Sequence, residues 1–300
     1  MTTDNPAIIF VPGIRAKPQP IEQQEQLRRC LAYGLGVLGV DAAHEMAGLL
    51  EVVGWSYSFY GVNVDISPDL PGIEALLTGA GDPDADYADA HSLKRRLTAA
   101  MYAIGDRFPV LSSAFATSRM ETRLEEINRY FDNRDGEGTQ ARDFLKRALQ
   151  DAWQQNRRVL LMGHSFGSVI AYDALWELSH SEADAQRGRV DLFVTMGSPL
   201  TMRYIRRRLK GAGQQGRLRY PTNIDRWLNL AAVGEVTALD RRMSHCFSEM
   251  CDLNLVQSID DNLEVMNRFR GPDGLNVHKC YGYLASPTLA SVVSEFTAQA

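Results

Sequence analysis

The chain has 300 residues, 45% of them hydrophobic, and a formal net charge of −5. That length and apolar content suit one large α/β domain spanning 1–300 and exclude a fibrous, repetitive or disordered chain. The acidic balance excludes a general affinity for nucleic acid.

The opening Met1-Thr2-Thr3-Asp4-Asn5-Pro6 lacks the basic start and long apolar run of a signal peptide. It runs into Ala7-Ile8-Ile9-Phe10-Val11, a continuous apolar stretch closed by Pro12-Gly13, as a buried parallel strand would be. Ile21 to Leu38 reads as a helix with a glycine-weakened end. The longest mostly apolar stretch, around Leu31 to Val40, is broken by three glycines and is too short to cross a bilayer. Leu49 to Tyr60, rich in aromatic and β-branched residues, reads as a second strand.

About a hundred residues separate that strand from the next, far more than one crossover helix needs. Gly79 to Asp86 reads as a flexible junction. Leu93, Leu97, Met101, Ile104, Phe108, Leu111 and Phe115 recur at steps of four and three, an apolar stripe bent at Pro109 that Leu124, Ile127 and Phe131 continue. Residues 79–135 are therefore expected to form a helical insertion, either a lid over a site or ordinary core. Asn133 to Gly138 is a turn, and Ala141 to Trp153 a helix leading back to the sheet.

Val159-Leu160-Leu161-Met162-Gly163-His164-Ser165-Phe166-Gly167-Ser168 is an apolar strand running into a G-x-S-x-G turn, and Val169 to Trp176 carry a helical pattern. A serine on such a corner projects its hydroxyl above the sheet edge. Gly163 and Gly167 fit points where side chains would collide as helix and strand cross. The helix aims free amides and its positive dipole end at the place where an oxyanion would form. Beyond it, Val190 to Met196 and Arg226 to Ala232 read as strands, the latter ending at Val233-Gly234-Glu235. Met250 to Val256 is a further candidate strand, and Ser286-Pro287 a helix start. Alternating strand and helix argue a mostly parallel open sheet flanked by helices.

The elbow resembles that of the α/β-hydrolase superfamily, and the resemblance extends from Ile8 to Phe296. It implies a serine hydrolase, lipase- or esterase-like, acting on carboxylic esters, lipid esters included, with no cofactor and no metal. It also implies a chain order of serine, acid, histidine. His44 and His91 precede the serine, His164 lies within the elbow and His180 ends its helix. His278, after a glycine-rich loop and before the last helix, is the expected base, with His245 in reserve. Glu235 at a strand tip is the expected acid, with Asp240 and Asp252 as alternatives. The amides of Phe166 and, by analogy with the His-Gly loop of lipases, Ile14 are the expected oxyanion donors; Pro12 stands where that loop often has histidine.

Arg203, Arg206, Arg207, Arg208 and Lys210 form a basic run that is either a solvated helix face or an attractor for an anionic head group. Cys30, Cys246, Cys251 and Cys280 show neither C-x-x-C spacing nor a zinc pattern, so reduced thiols in a cytoplasmic protein are expected. The apolar stripe permits peripheral membrane contact. An acyltransferase or thioesterase with the same three residues, or a non-catalytic relative that binds a ligand or protein, remains open.

Overall fold

The computed structural model describes residues 6–92, 118–181, 188–235 and 242–299. Six strands make one sheet in the order β2-β1-β3-β4-β5-β6, where β1 is Ala7–Val11, β2 Leu50–Val52, β3 Val159–His164, β4 Val190–Met196, β5 Ile224–Ala232 and β6 Ser258–Val265. Every neighbouring pair is parallel. The molecule is of the α/β class, an open parallel sheet flanked by helices. Among the described residues no helix is long and apolar enough to cross a membrane.

The central strands β1 and β3 are buried at every position, which is why they read as unbroken apolar runs. Side chains alternate between the two faces. Ile9, Val11 and Leu161 join the core on one face, and Ile8, Phe10, Leu160 and Met162 the core on the other. Each such side chain contributes about 1.5–3 kcal/mol by leaving water. The order of strands reverses between β1 and β3, and the carboxyl ends of strands at such a switch point are the usual site of chemistry in open parallel sheets.

Three expectations need correction. Only Leu50–Val52 of the aromatic segment is strand; Trp55–Tyr60 is helix. Trp55 and Phe59, four apart, are buried together, so helical packing overrides β propensity. Met250 to Val256 is not a strand: Ser248–Asp252 is helix and the strand begins at Ser258. That edge strand, S-I-D-D-N-L-E-V, alternates polar and apolar and lacks the apolar run that marks the buried strands. Lastly, the Gly79–Asp86 junction is half helix. Asp82 accepts hydrogen bonds from the amides of Asp84 and Ala85, and Pro83 opens the helix Pro83–Ala90.

The helix Ser118–Asp132 carries Ile127 and Phe131 toward the core, while Leu124 is exposed. The stripe from Leu93 to Phe115 lies outside the described residues.

Candidate active site

Ser165 follows β3 directly and has φ of 52°, in the left-handed region that side-chain-bearing residues seldom occupy. Its amide donates to the Met196 carbonyl at 2.8 Å, and its own carbonyl accepts from the Ser168 amide at 3.0 Å. The corner is possible only because glycines surround it. A Cβ on Gly167 would lie 2.2 Å from the Val11 carbonyl oxygen, and one on Gly163 would lie 2.6 Å from the Ser168 Cα. The helix Gly167–His180 then starts beneath the serine, its first turn buried.

His278 Nε2 lies 2.9 Å from Ser165 Oγ, and His278 Nδ1 lies 2.8 Å from Glu235 Oε2. The imidazole is about one-third exposed while the Glu235 side chain is 1% exposed. The ring is thus reachable from solvent on one side and backed by a carboxylate that water does not reach. In that geometry the carboxylate fixes Nδ1–H, which leaves Nε2 to accept the serine proton.

Each member is held by a different part of the chain. Glu235 comes off the end of β5, where Gly234 turns at φ of 79°; a side chain at Gly234 would meet the Ala90 carbonyl at 2.4 Å. His278 follows a small antiparallel ribbon of Arg270–Gly271 and Gly274–Leu275. The buried Asn267 side chain donates to the Val277 and Lys279 carbonyls, 2.8 Å each, and so clamps the histidine from both sides. Arg270 ties the ribbon to Asp86 and Asp89 at 2.7 and 2.8 Å. The helix Pro83–Ala90 therefore buttresses both the acid loop and the histidine loop. Gly197, at the end of β4 with φ of 54°, leaves room for the pair: a Cβ there would sit 3.1 Å from both Glu235 Oε2 and His278 Nδ1.

His164 is buried and its Nε2 lies 2.8 Å from the His278 carbonyl oxygen. Burial, and to a lesser degree the neighbouring His278, lowers its pKa to about 3. The ring is neutral and donates that bond.

On the oxyanion side, the loop after β1 packs onto the serine: a Cβ on Gly13 would be 2.9 Å from Ser165 Cβ. Phe166 precedes the first turn of the helix, and its ring is met edge-on by Tyr130 and Phe131. The amides of Phe166 and Ile14 take no hydrogen-bond partner among the described residues. Phe166 follows Ser165 directly, and Ile14 follows the Gly13 that packs against it.

His245 is exposed on the helix Met243–Cys246, Asp252 is exposed, and Asp240 falls outside the described residues. Part of the basic run is already paired: Arg208 with Asp132 at 3.0 Å and Lys210 with Glu177 at 3.3 Å. A cavity bounded by Tyr130, Asp173, Trp176 and Lys210 does not include Ser165 in its walls. Its buried Asp173, pushed up to about 6 by burial, already accepts from Tyr130 Oη and the Lys210 amide, so it is internally satisfied. Among the described residues no group of three or more His, Cys, Asp or Glu side chains is arranged to hold a metal ion.

Asn267, Trp55, Ser56, Tyr60 and Lys17 also shape the site and carry no motif. The four-residue spacing of Ser56 and Tyr60 gives no signal either, because residues four apart share one side in a helix and in a strand alike.

Comparison of the chain with models of protein families, with curated proteins and with solved structures returns no match.

Proposed function

We propose that the protein is a serine hydrolase of the α/β-hydrolase type that cleaves carboxylic esters through an acyl-enzyme. One observation carries this reading: Ser165 Oγ, His278 and Glu235 form a continuous hydrogen-bonded chain, with 2.9 and 2.8 Å steps. A serine hydroxyl is a weak nucleophile, and a positioned imidazole backed by a buried carboxylate is what activates it.

In the proposed reaction Ser165 Oγ attacks the ester carbonyl carbon while His278 Nε2 takes the hydroxyl proton. Glu235 stabilises the resulting imidazolium. The carbonyl oxygen, now negative, receives the Phe166 and Ile14 amides. Collapse of the tetrahedral intermediate breaks the bond to the alcohol oxygen, which leaves with the proton from His278. Water then attacks the acyl-serine through the same groups and releases the acid.

The helical insertion, of which 79–92 and 118–135 are described, is proposed to border the acyl site as a lid. A panel of p-nitrophenyl esters of increasing chain length, with Ser165→Ala as control, tests both claims. Turnover by the wild-type protein and none by the variant supports the hydrolase, and a preference for long chains supports an apolar lid. A folded protein inert to every ester overturns the reading, and a preference for the shortest acyl group overturns the lid.

A further inference from the structure

The loop Pro12–Lys17 is anchored from several directions. Trp55 Nε1 donates to the Pro12 carbonyl at 3.0 Å. The Arg15 amide donates to Tyr60 Oη at 2.7 Å, and Ser56 Oγ donates to the Arg15 carbonyl at 3.2 Å. The Val64 amide donates to the Lys17 carbonyl at 3.0 Å. Lys17 folds back so that its Nζ donates to the Ile14 carbonyl at 2.9 Å. In the middle of these bonds Arg15 sits at φ of 86°, a conformation that a side-chain-bearing residue keeps only when its surroundings impose it. The Ile14 amide, next to the Gly13 that touches Ser165, is left without a partner among the described residues. Bonds on both flanks hold this peptide while its own donor stays free.

We propose that Lys17 and Tyr60 are positioning residues for the oxyanion donor: the ammonium fixes the Ile14 carbonyl, the phenol fixes the Arg15 amide, and together they keep Ile14 N–H aimed at the oxygen of the carbonyl that Ser165 attacks. This rests on the hydrolase reading above. A donor fixed before the reaction needs no reorganisation as negative charge develops, so these anchors act on the transition state and leave substrate binding nearly untouched.

The charge on Lys17 is itself conditional. Burial lowers its pKa to about 8; Cys280 and Glu126 act to raise it, and Lys279 and Arg15 act to lower it. Lys279 is paired with Asp69 at 2.6 Å. Below about pH 8 the hold on Ile14 is charge-assisted, and above it a neutral amine donates a weaker bond. The turnover number therefore declines as pH rises through that value.

The test is steady-state hydrolysis of p-nitrophenyl acetate across neutral and alkaline pH by the wild-type protein, Lys17→Met, Lys17→Arg and Tyr60→Phe, with folding checked by circular dichroism. Lys17→Met and Tyr60→Phe should each lower kcat about tenfold, a fraction of what losing a whole oxyanion donor costs, with KM changed less than about twofold. Lys17→Arg should retain most of the turnover, and its alkaline decline should move to higher pH, because a guanidinium stays charged there. Folded variants with wild-type kcat and an unshifted alkaline limb contradict the role, as does an equal loss in every variant with no change in profile. Should Lys17→Met not fold, the Lys17→Arg profile and the Tyr60→Phe rate decide alone. A wild-type protein that hydrolyses no ester fails at the earlier step and removes both claims.

Discussion

His164 Nε2 donates to the main-chain carbonyl of His278 at 2.8 Å, so the residue just before Ser165 holds the one that faces it. The two rings lie 5.1 Å apart, and His164 also stacks on Phe10 at 6.4 Å. The elbow strand thus fixes the histidine loop as well as the serine.

Burial keeps His164 neutral by lowering its pKa from 6.5 to about 3, and the neutral ring still donates that bond through Nε2. Below pH 6.5 the unfolded chain takes up a proton that the folded chain refuses. Stability is therefore full above 6.5 and drains away as pH falls toward 3, by a few kcal/mol in all at about 1.4 kcal/mol per unit. Asp173 acts in the opposite sense: raised from 3.8 to about 6, it contributes most in acid and loses that as pH rises through 6. Urea unfolding of the wild-type protein and His164→Phe isolates the histidine. The difference in stability between them should shrink as pH drops below 6.5, and a difference that ignores pH contradicts this account.

Glu235→Gln keeps the shape of the acid and removes its charge. An amide beside Nδ1 no longer selects the tautomer with a free Nε2, so kcat should fall by about 10³–10⁴ with little change in KM. Ester hydrolysis measures it, and a loss under tenfold would mean that the carboxylate does not orient His278.

Gly167→Ala places a Cβ 2.2 Å from the Val11 carbonyl oxygen and 2.6 Å from that of Pro12. Both obstacles are backbone, and the elbow must open to admit the methyl. A loss above about 3 kcal/mol is expected, seen as a large drop in melting temperature. Gly36→Ala is the control: it lies in the helix Pro20–Val37, its Cβ would meet nothing within 4 Å, and a gain of about 0.5–1 kcal/mol is expected.

Arg270→Met strands the Asp86 carboxylate, which is 1% exposed, without its 2.7 Å partner. A cost of about 2–4 kcal/mol is expected from the buried charge. Because Arg270 ties the histidine ribbon to the helix behind Glu235, ester turnover should fall as well. Unchanged stability in denaturant titration would show that the pair is not a strut.

Much of the frame is legible in sequence because the central strands are buried on both faces and must be apolar throughout, as Ala7–Val11 and Val159–His164 are. The edge strand Ser258–Val265 has one face in water and so hides among polar residues. Trp55–Tyr60 misleads for another reason: its aromatic residues favour a strand locally, yet the folded chain makes it helix, with Trp55 donating to the Pro12 carbonyl and Phe59 buried in the core. Around Ser165 the tight corner leaves a steric trace in Gly163 and Gly167, and the chain order that the resemblance implies points to Glu235 and His278. The supports leave no such trace. Asn267 and Lys17 act through main-chain carbonyls, and nothing in the residues they grip betrays them.

The most direct test of the central claim is covalent. A fluorophosphonate reagent reacts far faster with a serine whose proton is drawn off by a base than with an ordinary hydroxyl, and intact-protein and peptide mass spectrometry locate the adduct. Labelling at Ser165, abolished in Ser165→Ala and strongly slowed in His278→Ala, is the predicted result. A folded wild-type protein that stays unmodified, or one modified equally fast without His278, contradicts it.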